Sequence, residues 1–166
     1  DGNRINGTPK SKNSVVKELT TVTPGGFQIN DNFTLTSLGN PYLIEGSIMV
    51  ASGTKLFIES GVTIKFKHNN YWKSGLEVEG ELAAADVIFT SFEDGQYWEW
   101  LYFKDAQANL KNVTIKYAGR KEGNPPFSPP FTRGAVYVDG GEVKIENSKI
   151  EKSQTLGIWL KNSNSS

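Results

Sequence analysis

The chain contains no cysteine, which rules out a disulfide framework, a thiolate metal site and a cysteine nucleophile. Its single histidine, His68, cannot build a multi-histidine metal site by itself. No sign of charge predominates, because 18 Lys and Arg balance 18 Asp and Glu. That balance leaves no electrostatic footprint for nucleic acid or anionic lipid. No apolar run approaches the length of a membrane span, so no membrane insertion is expected. GxSxG, a phosphate-binding glycine loop and HExxH are all missing. No cofactor is implied. Acids on turns are plentiful, but no loop shows calcium-ligand spacing. The chain opens at Asp1 without a signal-peptide pattern, as a mature form, a proteolytic fragment or an excised piece of a longer protein would.

Helical periodicity is nearly absent too. Short runs alternate apolar and polar residues and are punctuated by Gly, Asn and Asp. The abundance of Asn, Ser, Thr, Gly and aromatics suggests an exported protein, extracellular or at a cell surface. Residues 1–40 are irregular, with Phe27, Ile29, Phe33, Leu35 and Leu38 as apolar anchors. They are expected to form an N-terminal cap on a domain spanning 41–166. Strand signals run from Leu43 to Val50, Thr54 to Glu59, Val62 to Phe66, Leu76 to Leu82 and Val87 to Thr90. They resume from Trp100 to Phe103, Leu110 to Tyr117, Val136 to Asp139, Val143 to Ile150 and Ile158 to Leu160. Many short strands fit a sandwich, a barrel or a solenoid, and internal repetition decides among them.

Four segments share one pattern: Gly75–Glu79, Trp100–Lys104, Ala135–Asp139 and Gly157–Lys161. Their starts lie 25, 35 and 22 residues apart. The long interval holds Arg120–Arg133, with four prolines and no strand pattern, so it reads as a loop inserted into one coil. A second repeat matches Leu110-Lys-Asn112-Val-Thr-Ile115 to Ile145-Glu-Asn147-Ser-Lys-Ile150 at constant offset. Its asparagines either form a ladder along a solenoid or are ordinary turn residues.

From Tyr42 through Gly53-Thr-Lys-Leu-Phe-Ile-Glu-Ser-Gly61, Leu76–Leu82, Ile88–Ser91, Trp98, Leu110–Ile115 and Tyr117-Ala-Gly119, the chain resembles the right-handed parallel β-helix repeat region of bacterial extracellular and cell-surface proteins. The resemblance covers residues 42–163. It implies an all-β solenoid and says little about activity, since that group includes adhesins, surface modules and polysaccharide-acting enzymes. The chain departs from it after Trp98, where Glu99 and Trp100 stand in place of a small residue.

Strand alternation then assigns faces. Leu76 and Val78, Leu101 and Phe103, Val136 and Val138, and Ile158 and Leu160 must point inward, because a one-residue slip would bury charges. The central outward column reads Glu77, Tyr102, Tyr137, Trp159, with coils ~4.8 Å apart. The next reads Glu79, Lys104, Asp139, Lys161, a series of alternating sign. The preceding one reads Gly75, Trp100, Ala135, Gly157. Trp98 extends the patch if the strand starts early, and Tyr71 and Trp72 on the loop 67–74 could widen it. The functional reading is an aromatic platform for carbohydrate made by Trp98, Trp100, Tyr102, Tyr137, Trp159, Tyr71 and Trp72. The alternative is that these rings pack under the Pro-rich loop 120–133 or against another domain.

Catalysis is the weaker expectation. Glycoside hydrolysis needs two carboxyl groups across a cleft, and Glu77, Glu79 and Asp139 are candidates that nothing pairs uniquely. Elimination would need acids such as Glu79 and Asp139 beside Lys104 or Arg133, yet simple ion pairs explain that column equally well. The expected function is a non-catalytic module that binds polysaccharide or mediates adhesion. A structural segment of a larger β-helix is the first alternative, and a lyase or hydrolase the second. Expected partners are polysaccharide, further coils of a parent protein or another copy of the chain.

Overall fold

The computed structural model describes residues 27–67, 74–119 and 134–162. Those residues form a parallel β-helix. Its first coil holds β1 (Phe27–Ile29), β2 (Phe33–Leu35) and β3 (Tyr42–Glu45). The second holds β4 (Ser47–Val50), β5 (Lys55–Ile58) and β6 (Thr63–Lys67). The third holds β7 (Gly75–Val78), β8 (Glu81–Ala85) and β9 (Ile88–Ser91). The fourth consists of the long β10 (Trp100–Lys111) and β11 (Thr114–Lys116), and the fifth of β12 (Val136–Glu146) and β13 (Lys149–Glu151). Strand β14 (Ile158–Lys161) begins a sixth.

Every strand pair is parallel, and each strand pairs with its counterpart one coil away. Three walls result. One stacks β1, β4, β7, the first half of β10, the first half of β12, and β14. The second stacks β2, β5, β8 and the second halves of β10 and β12. The third stacks β3, β6, β9, β11 and β13.

The inward columns follow from strand alternation. Ile48, Leu76, Leu101 and Val136 stack in one, and Ile29, Val50, Val78, Phe103 and Val138 in the next. Identical registers bury like on like, so each coil covers the apolar edge of the one before it. The first coil starts ahead of residue 41. The anchors Phe27, Ile29, Phe33 and Leu35 sit on paired strands of the solenoid wall, whereas Leu38 is exposed in a 3-10 turn. Residues 1–26 and the proline-rich stretch 120–133 lie outside the described residues, so most of the cap expected for 1–40 and the loop role expected for 120–133 lie there too.

Corners are made by residues with left-handed backbone. Gly61, Asp86, Asn112 and Asn147 occupy one corner column, with φ of 81°, 54°, 53° and 50°. Asn and Asp tolerate this region better than other side-chain-bearing residues. The matched asparagines of the sequence repeat are therefore corner residues. Asn112 donates to the Asp86 carboxylate at 3.0 Å and Ser60 to the same side chain at 3.2 Å, so the side-chain ladder runs from Asn112 through Asp86 to Ser60.

Candidate binding surface

Strands β10, β12 and β14 place Tyr102, Tyr137 and Trp159 in one row, through the registers Tyr102↔Tyr137 and Tyr137↔Trp159. The Tyr102 and Tyr137 rings stack with centroids 4.8 Å apart and planes 13° from parallel. Trp159 follows at 5.4 Å with a 44° tilt. Glu77 heads the column on β7. Stacking has a consequence for recognition. Tyr102 and Tyr137 turn ring faces toward each other, which leaves less face for a sugar than a flat platform would.

Burial narrows the surface further. Tyr137 is 7% exposed, while Tyr102 and Trp159 are partly exposed. Trp100 stands in the expected column between Gly75 and Ala135 but is only 8% exposed. Trp98 corrects the expectation outright, because it is fully buried and lies before the first residue of β10. Its ring stacks on Phe66 at 4.2 Å and its indole N–H donates to the Lys116 carbonyl at 2.7 Å. The inward position after Phe66 in the next coil is Ser91, a small side chain whose place leaves room for the indole. Tyr71 and Trp72 lie outside the described residues, as do His68 and Arg133.

The charged column is a set of discrete pairs. Lys104 bonds Glu79 at 2.6 Å and Lys161 bonds Asp139 at 3.0 Å. The Lys161 ammonium, then the Asn162 amide, hold the Asp139 carboxyl below its ordinary range. On the third wall Lys149 and Lys116 hold Glu151 down at about 2. A general acid needs the opposite shift. Beside this column an open groove of about 400 Å³ is lined by Asn32, Lys55, Glu79, Glu81, Asp105 and Gln107, among others. Its Glu79 and Glu81 are already engaged by Lys104 and Lys55. Among the described residues, no group of three or more His, Asp or Glu could hold a metal ion.

The exposure of the last described coil has no signal in any single strand. Ile158 and Leu160 continue columns whose earlier members are buried, yet they are 47% and 59% exposed. Val143, Ile145 and Ile150 on the same edge are only partly buried. Alternation placed Ile158 and Leu160 inward, and their exposure follows only from counting coils.

No family model matches the chain, and neither curated proteins nor solved structures include a match.

Proposed function

We propose that the chain is a non-catalytic structural module of a secreted or cell-surface protein, built to be joined at its last coil. The observation that carries this reading is the 47% and 59% exposure of Ile158 and Leu160 in columns that are otherwise core. Stacked coils bury such edges, and an open one exposes strand groups and apolar side chains together. The ion pairing of Glu79, Asp139 and Glu151 with lysines supports a structural use of the wall carboxylates. The location rests on composition and on the resemblance to bacterial surface β-helices.

Retention of the chain on a hydrophobic-interaction matrix should fall sharply on Ile158→Lys or Leu160→Lys, with the far-ultraviolet circular dichroism unchanged. Equal retention of folded variants would refute the joining surface. Soluble product released from plant or bacterial polysaccharides would refute the non-catalytic part.

One observation favours a second reading, contact with polysaccharide. Trp159 ends the aromatic row and is partly exposed, so an apolar sugar face could stack there beside Lys161 and Asp139. Trp159→Ala together with Tyr102→Ala should then weaken retention on insoluble polysaccharide, and unchanged retention removes this role.

A further inference from the structure

The outward face of the second wall lies apart from the aromatic row and from β14. Leu56 and Ile58, Leu82 and Ala84, and Ala108 and Leu110 are buried there, so the residues between them point out. One outward column runs Lys55, Glu81, Gln107, Glu142. The next runs Thr34, Phe57, Ala83, Asn109, Lys144. The groove of about 400 Å³ and a second hollow of about 200 Å³ share Glu81 and Gln107 as lining. Together they make one trough across the coils, roughly 19 Å from the first coil to the fifth at ~4.8 Å per step.

Phe57 stands on the same face and is 44% exposed. Its column neighbours are the short Thr34 and Ala83, so neither is a ring that would cover it, in contrast to the stacked Tyr102 and Tyr137. Gln107 and Asn109 are exposed carboxamides, each able to donate and to accept. Lys55 and Glu81 bond each other at 2.5 Å, yet their side chains are 42% and 43% exposed. The ammonium therefore keeps spare N–H groups and the carboxylate spare lone pairs.

The chemistry narrows what such a trough can hold. Strands β5 and β8 and the second half of β10 are paired on both sides, so an extended peptide finds no free strand edge. Glu79, Glu81 and Asp105 outnumber Lys55 along the larger groove, which disfavours a phosphate backbone or a polyuronate. Among the described residues no acids gather into a group that could hold a metal ion. A neutral polyhydroxylated chain meets every feature. Its hydroxyls donate to carboxylate and carboxamide oxygens and accept from Lys55, and its C–H faces suit an uncovered ring.

We propose that this trough binds a neutral polysaccharide laid along the solenoid axis. Phe57 stacks on one sugar ring, and Glu81, Gln107 and Asn109 hold hydroxyls. The site uses no residue of β14 and none of the row that ends at Trp159, so it stands or falls apart from the joining surface and from sugar contact at Trp159.

Native electrophoresis through gels that contain a soluble glycan tests it. Hydroxyethyl cellulose, galactomannan and xyloglucan serve as neutral probes, with polygalacturonate as the charged comparison. At least one neutral glycan should retard the chain, and polygalacturonate should retard it less. Phe57→Ala should weaken the affinity read from the gels about ten-fold, with unchanged circular dichroism. Gln107→Ala with Asn109→Ala should weaken it as well, and this pair carries the test if Phe57→Ala does not fold. Tyr102→Ala with Trp159→Ala should leave it unchanged. No retardation by any neutral probe, stronger retardation by polygalacturonate, or full retardation of the folded trough variants would each overturn the trough. Loss in the Tyr102 and Trp159 variant alone also overturns it, and assigns the glycan to the aromatic row.

Discussion

Trp98→Ala is the perturbation that most directly weighs the solenoid interior. The indole is fully buried and lies against Phe66 at 4.2 Å. Deleting a buried aromatic costs about 3–5 kcal/mol, as lost transfer energy plus the cavity left behind. The Lys116 carbonyl also loses the donor that reaches it at 2.7 Å, which adds about 1 kcal/mol when the acceptor is left dry. A domain of this size has only ~5–15 kcal/mol in total, so the variant should be at the margin of folding. Trp98→Phe keeps a ring on Phe66 and loses the donor and part of the volume, for an expected loss of about 1–3 kcal/mol. Urea unfolding followed by far-ultraviolet circular dichroism measures both, with Trp159→Ala as the surface reference at under ~1 kcal/mol. If Trp98→Ala unfolds at the same urea concentration as Trp159→Ala, the indole is not a core side chain and the interior described here is wrong.

Two further outcomes follow from corners and charges. Asn112 sits at φ 53°, so Asn112→Ala should cost about 1 kcal/mol or more in urea unfolding, while Asn112→Gly, which accepts that backbone, should cost less; equal losses would locate the effect in the bond to Asp86 alone. Glu151 has a folded-state pKa of about 2, below its ordinary 4.5, because of Lys149 and Lys116. A depressed carboxyl stabilises the fold above its unfolded value and ceases to do so as pH falls from about 4.5 to about 2. Carbon-detected titration of the Glu151 side chain should show its midpoint well below that of a free glutamate, and Lys149→Ala with Lys116→Ala should return it toward 4.5.

The walls of the solenoid were legible in the sequence and its corners only in part, since Asn112 and Asn147 were open to reading as turn residues. Alternation in Leu101-Tyr102-Phe103 and Val136-Tyr137-Val138 states which residues face inward, and the pairing Tyr102↔Tyr137 bears that out. The charge column was legible for the same reason, since Lys104 meets Glu79 and Lys161 meets Asp139. Hydropathy is blind to a bend between two inward-facing runs. Leu43–Val50 reads as one strand, but Gly46 at φ 93° divides it between two walls. Leu76–Leu82 divides likewise around Gly80, where an added Cβ would fall 2.3 Å from the Ala51 and Thr54 carbonyls. Trp98 was misplaced because parity was extended back past the first residue of β10, beyond where the pleat governs direction. The exposed end escaped single-strand patterns because burial there depends on a neighbour, not on the strand.

The spacing between coils carries a consequence for how such a chain can change. Leu101 pairs with Val136 and Ile115 with Ile150 at one offset of 35 residues, while Val136 pairs with Ile158 at 22. The surplus therefore falls in the chain between Gly119 and Gly134, and the described ladder keeps its register on either side. A coil of this kind separates what holds the protein up from what can be spliced into it. New length admitted between those two glycines leaves the stacked interior as it was.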